Sequence, residues 1–73
     1  RMTTDSLAAM TIPELRRELT LAVTQLASIG SSLSGTRGAE RIELEETIVE
    51  AREYIRIIKA RIARLERQNR QQP

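Results

Sequence analysis

Glu46 and Glu50 stand four residues apart, a spacing that sets two carboxylates side by side on one helix face. A carboxylate pair is the least equipment that general acid/base chemistry needs. To divide the roles of acid and base, the two groups must sit in environments that push their pKa values apart, which requires a desolvating cleft. A thin helical chain has no such cleft, so the pair reads as solvated surface. The chain contains no Cys and no His, which removes nucleophile–histidine pairs and the commonest metal-ligand sets. Gly30, Gly35 and Gly38 follow a helical pattern rather than a strand, and no Gly-Lys-Ser/Thr accompanies them, so they do not form a phosphate cradle. The expectation is a protein that is not an enzyme, with no catalytic residue, no cofactor and no metal.

A second constellation is basic. Arg56, Lys59, Arg64, Arg67 and Arg70 fall within ~140° of one another on a helical wheel. Such a stripe is able to follow phosphates. The formal net charge is only +2, and the single aromatic residue, Tyr54, leaves nothing else to stack on a base. Nucleic acid is therefore disfavoured as a partner. Residues 40–53 carry six glutamates against two arginines, a net of −4, and residues 54–73 carry six bases against Glu66, a net of +5. Acids first and bases last are what a long helix's macrodipole favours. The stripe is either a solvated face matched to that dipole or a basic docking face.

The elements that position these residues follow from size and periodicity. A chain of 73 residues buries only ~60% of the surface its unfolded form exposes. Without disulfides or zinc it needs very regular helix packing or a partner chain. The scarcity of aromatic residues argues against a β-sandwich or barrel. No apolar run approaches the ~20 residues of a membrane span. The N-terminus lacks the basic, apolar, small-residue order of a secretory signal. A cytoplasmic protein that does not engage a membrane is expected.

Residues 1–10 read as a loosely ordered segment. Thr11 and Glu14 form a capping-box pair, Pro13 sits in the first turn, and Met10 and Leu15 occupy the two staple positions. Ile12, Leu15, Leu19, Ala22, Leu26 and Ile29 then recur at spacings of 3 and 4, a heptad seam ended by Gly30. This predicts a helix over about 12–29. Residues 30–39, rich in Gly and Ser, read as a loop. Alternation over Arg41-Ile42-Glu43-Leu44 leaves a very short strand as the minor alternative. Leu44, Ile48, Ala51, Ile55, Ile58, Ile62 and Leu65 continue at 4 and 3, predicting a helix over about 40–68, with residues 69–73 a frayed tail. Two seams and one loop imply an all-α fold: an antiparallel, coiled-coil-like two-helix hairpin over residues 11–70 whose second helix is the longer.

The lengths do not match. Residues 12–29 span ~27 Å as helix and residues 40–70 span ~46 Å. Ile62 and Leu65 lack an intrachain partner unless residues 2–10 extend over them. Tyr54 and Ile57 widen the apolar arc of the second helix beyond what a two-helix contact needs. Val23 widens that of the first. Val23, Tyr54, Ile57, Ile62 and Leu65 are therefore the candidate partner-binding residues.

The hairpin resembles the YscE/SsaE-type co-chaperones of type III secretion systems over roughly residues 14–62. Leu19-Thr20-Leu21-Ala22-Val23-Thr24-Gln25-Leu26 is similar to the family's Leu-x-x-Ala-Leu-Thr-Lys-Leu stretch. Leu44-Glu45-Glu46-Thr47-Ile48-Val49-Glu50-Ala51, followed by Ile55-Arg56-Ile57-Ile58, looks like its Leu-Glu-x-x-Ile-x-x-Ala segment ending in Ile-x-Ile-Ile. The Arg-rich tail from Arg61 to Pro73 and the Gly/Ser-rich loop depart from the pattern. The resemblance implies a small cytosolic protein that pairs with a tetratricopeptide-like chaperone, the two together keeping a needle subunit unpolymerised.

Two other readings stand beside it. Met10 to Leu19 and Glu50 to Lys59 also look like the helices of the ribosomal protein uL29, which is normally strongly basic. A self-associating structural subunit, such as a phage head–tail joining protein, would need a β-hairpin within residues 30–44.

Overall fold

The computed structural model describes residues 4–71, with side chains from Ser6 onward. Residues 1–3 and 72–73, counted above among the loose ends, lie outside the described residues. The described chain is all-α and contains three helices: α1 (Thr4–Ala8), α2 (Ile12–Leu33) and α3 (Ala39–Gln71). No strand occurs among the described residues. The molecule is a rod, 55 × 19 × 15 Å along its principal axes. None of the helices is long and apolar enough to cross a membrane.

The start of α2 is built as its residues require. Thr11 is extended, with φ −78° and ψ 167°. Its hydroxyl accepts from the Glu14 amide at 3.4 Å, and its own amide donates to Glu14 Oε1 at 3.0 Å. Two amides that a helix N-terminus leaves open are thereby satisfied. The Thr11 amide, followed by the Thr11 hydroxyl, which also donates to Glu14 Oε1 at 2.9 Å, holds the Glu14 carboxyl below the usual carboxylate range.

The far end of α2 differs from the expectation. Gly30 does not stop the helix, which runs through it to Leu33. The serines that read as linker bond back onto the helix instead: Ser31 Oγ donates to Ala27 O and Ser32 Oγ to Ser28 O, both at 3.2 Å. Leu33 keeps the heptad phase and is half-buried. The last turn tightens, with the amides of Gly35 and Thr36 donating to the carbonyls of Ser32 and Leu33. The connection shrinks to residues 34–38. Gly38 ends it at φ +65°, and its carbonyl accepts the Ile42 amide to open α3. A left-handed residue at that helix start calls for glycine. Arg41 to Leu44, the alternative strand, lies in the first turns of α3, and residues 30–44 contain no β-hairpin of the kind a head–tail joining protein would need.

α2 and α3 pack against each other, early α2 meeting late α3: Arg16 reaches Glu66 at 3.3 Å, and Tyr54 reaches Glu18 at 2.9 Å. The buried core is Leu7, Leu15, Ala22, Ile55, Ile58 and Ile62. Leu7 comes from α1, within the segment read as loosely ordered. α1 crosses the far part of α3, where the Arg61 guanidinium donates to the Ala8 carbonyl at 3.1 Å. That is the cover which the length mismatch requires for Ile62.

Candidate protein-binding surface

Each candidate contact residue has a definite place. Ile62 is 8% exposed and lies in the core with Leu7. Its assignment to a free partner surface is therefore corrected: α1 takes the position a partner was expected to fill. Leu65 is half-buried and packs on the same cluster. Tyr54 and Ile57 are half-buried at the core's edge. Tyr54, Ile57 and Leu65 lie seven, four and four residues from Arg61, so they share the flank that α1 occupies. Val23 is 47% exposed. It lies seven residues from Arg16, which bonds Glu66, and so belongs to the opposite flank from Glu18 and Tyr54. The structure thus groups Tyr54, Ile57 and Leu65, removes Ile62 to the interior and separates Val23.

Tyr54 joins the two long helices. Its hydroxyl donates to Glu18 Oε1 at 2.9 Å while the ring lies against the core. Burial, then the bond to Glu18, pushes the phenol up to about 12 from its ordinary 10.0. The aromatic ring read as spare surface is therefore partly committed to holding α2 against α3.

A longer, partly covered stretch of the seam lies towards the connection. Leu26, Ile29 and Leu33 of α2, and Leu44 and Ile48 of α3, carry on the seam, yet each is only half-buried. A seam covered by one facing helix alone stays open along both flanks. Sequence periodicity marks these residues as core but does not say that α1 ends before reaching them. The one hint of α1's role was Leu7, three residues before Met10, in a stretch too short to show a period.

The basic stripe is on the surface. Arg56, Lys59, Arg64, Arg67 and Arg70 are all exposed. Arg56 approaches Glu53 at 3.7 Å. Lys59, Arg64, Arg67 and Arg70 make no ion pair among the described residues. Arg67 and Arg70 edge an open depression of about 520 Å³ beside Arg16 and Glu66, with Ile12 and Ala63 in its lining. Glu46 and Glu50 are exposed. Among the described residues no three acidic side chains converge where a metal ion could be held. Comparison with protein-family models, curated proteins and solved structures finds no match to this chain.

Proposed function

We propose that α2 and α3 work as an antiparallel, coiled-coil-like hairpin whose function is to bind a second protein. One observation carries this reading: beyond Ala22 no residue of the α2 seam is buried, and before Ile55 none of the α3 seam is. Covering apolar surface stabilises a complex by ~25 cal/mol per Å². A chain too small to hold itself firmly gains stability by mass action from a partner that binds only its folded form. Tyr54, Ile57 and Leu65 extend the same apolar surface along the α1 flank, and Val23 adds a contact on the other.

The partner consistent with the type III secretion resemblance is a tetratricopeptide-like chaperone, whose concave helical surface would take the hairpin while it holds a needle subunit unpolymerised in the cytosol. Co-expression with such a chaperone and its needle subunit tests this. Ile57→Asp should leave helical circular dichroism intact and abolish co-purification, and the wild-type complex should survive moderate salt. Undiminished co-purification of Ile57→Asp would remove the α1 flank from the contact. Steep release between low and moderate salt would favour the ribosome-associated reading, since phosphate binding is lost in that range.

A further inference from the structure

The outward face of α3 carries a second seam that the hairpin does not use. Ile42, Glu46, Val49 and Glu53 recur at spacings of 4, 3 and 4 in its first half, and all are exposed. Arg56, Ala60, Ala63, Arg67 and Arg70 continue the same phase, also exposed. Two of the four most exposed large apolar residues, Ile42 at 58% and Val49 at 65%, lie on this line. The helix dipole acts within the first and last turns. It does not explain why the sign of charge changes in mid-helix, between Glu53 and Arg56, nor why valine and isoleucine share the line.

We propose that this face pairs with the same face of a second copy, the two α3 helices running antiparallel about a two-fold axis near residues 54 and 55. Reversal of direction is what the charge demands. Parallel pairing sets the −4 half against −4 and the +5 half against +5, whereas antiparallel pairing sets each acidic half against a basic one. In that register Val49 meets Ala60 of the other copy, and the small side chain lets the helices approach. Glu53 meets Arg56, exchanging its long 3.7 Å contact within the chain for one across the axis. Glu46 lies between Ala63 and Arg67, and Ile42 rests on the aliphatic stem of Arg67. The contact is self-complementary, as a two-fold interface must be. The basic stripe thus acquires an occupant whose charge matches it. The proposal does not depend on the apolar seam that α2 and α3 share, because none of its residues belongs to that seam, although at Ala63, Arg67 and Arg70 the line passes beside Ile12 and Arg16 of α2.

Light scattering over a range of concentration should show a dimer that weakens as salt rises towards 1 M, where charges are screened within ~3 Å. Because the chain has no cysteine, direction is read from single-cysteine variants. Val49→Cys mixed with Ala60→Cys should form a mixed disulfide under oxidation, and neither should link to itself efficiently. Glu46→Lys with Glu53→Lys should weaken the dimer about tenfold or more. Mixing that chain with one carrying Arg56→Glu and Arg67→Glu should restore association. A monomer at millimolar concentration would overturn the proposal, as would self-linking of Val49→Cys in preference to the mixed pair. Failure of any of these leaves co-purification of Ile57→Asp as a separate question.

Discussion

The two ends of the rod are made from the same pair of seams and differ in what lies across them. At the end near the chain termini, α1 sets Leu7 over the groove, and Leu15, Ile58 and Leu7 are each exposed by 1% or less. At the end near the connection, Leu26, Ile29, Leu33, Leu44 and Ile48 continue the seam with no third element among the described residues, and each remains only partly buried. A five-residue helix has little stability of its own. Among the described residues, its hold on the rest of the chain comes from Leu7, which closes the groove, and from the Ala8 carbonyl that Arg61 grips. The contrast teaches that two helices of this width make a seam, and a third contact turns the seam into a core. Stability is therefore expected to concentrate at one end and capacity for binding at the other.

Removing the third contact is the most forceful way to break this contrast. Leu7→Ala should cost ~2–5 kcal/mol, the range for a fully buried leucine, which for a domain this small approaches its whole stability. Leu26→Ala, in the open half of the seam, should cost about 1 kcal/mol. Thermal melts of the two variants give the comparison directly. Amide exchange should agree, slowest around Ile58 and fastest in the last turns of α2. Equal losses from Leu7→Ala and Leu26→Ala would mean that the two ends are alike and that α1 contributes nothing special.

How much of this was legible from sequence varies along the chain for physical reasons. The start of α2 was readable because Thr11 and Glu14 encode reciprocal bonds within one turn. The pairing of α2 with α3 was readable because each seam repeats over several heptads. Gly30 misled because a glycine's freedom is only a tendency, and Leu33, partly buried and in phase with the seam, gives the helix a packing contact to reach one turn further on, with Ser31 and Ser32 bonding back to Ala27 and Ser28. α1 was not readable, since Leu7 is its one buried side chain among those described and a single apolar residue has no period. Of the candidate surface, Ile62 alone is moved to the interior on that account. Ile62 was counted as open because its cover comes from a segment without a pattern, and the half-covered seam near the connection passed for ordinary core.

Tyr54 marks the border between the ends and offers a smaller, pH-dependent test. Its phenol is raised in the fold, so its contribution is complete below pH 10.0 and lost as pH climbs through about 12. The single tyrosine makes an ultraviolet titration unambiguous, and ionisation should coincide with loss of helix packing. Tyr54→Phe should cost about 1 kcal/mol at neutral pH, the worth of one hydrogen bond to Glu18. It should also remove the part of the alkaline transition that belongs to the phenol. An ionisation midpoint at the ordinary phenol value would show that the ring does not bridge α2 and α3.

The smallest effect sharpens the comparison from the open end. Gly30 and Gly38 look alike in a Gly/Ser-rich stretch, yet one lies within α2 and the other at a left-handed turn. A methyl group added at Gly30 meets nothing within 4 Å. Gly30→Ala should therefore gain ~0.5–1 kcal/mol, the difference between glycine and alanine inside a helix. It should do so by stiffening the half of the molecule that lacks a third contact, so amide protection should rise from Leu26 to Leu33 and leave Ile58 unchanged. Gly38→Ala has open space too, but the +65° φ strains any side chain, so the sign should reverse. If Gly30→Ala instead destabilised the chain, α2 would end where glycine first appears. The open seam would then be shorter by a full turn, and Leu33 would drop out of the surface offered to a partner.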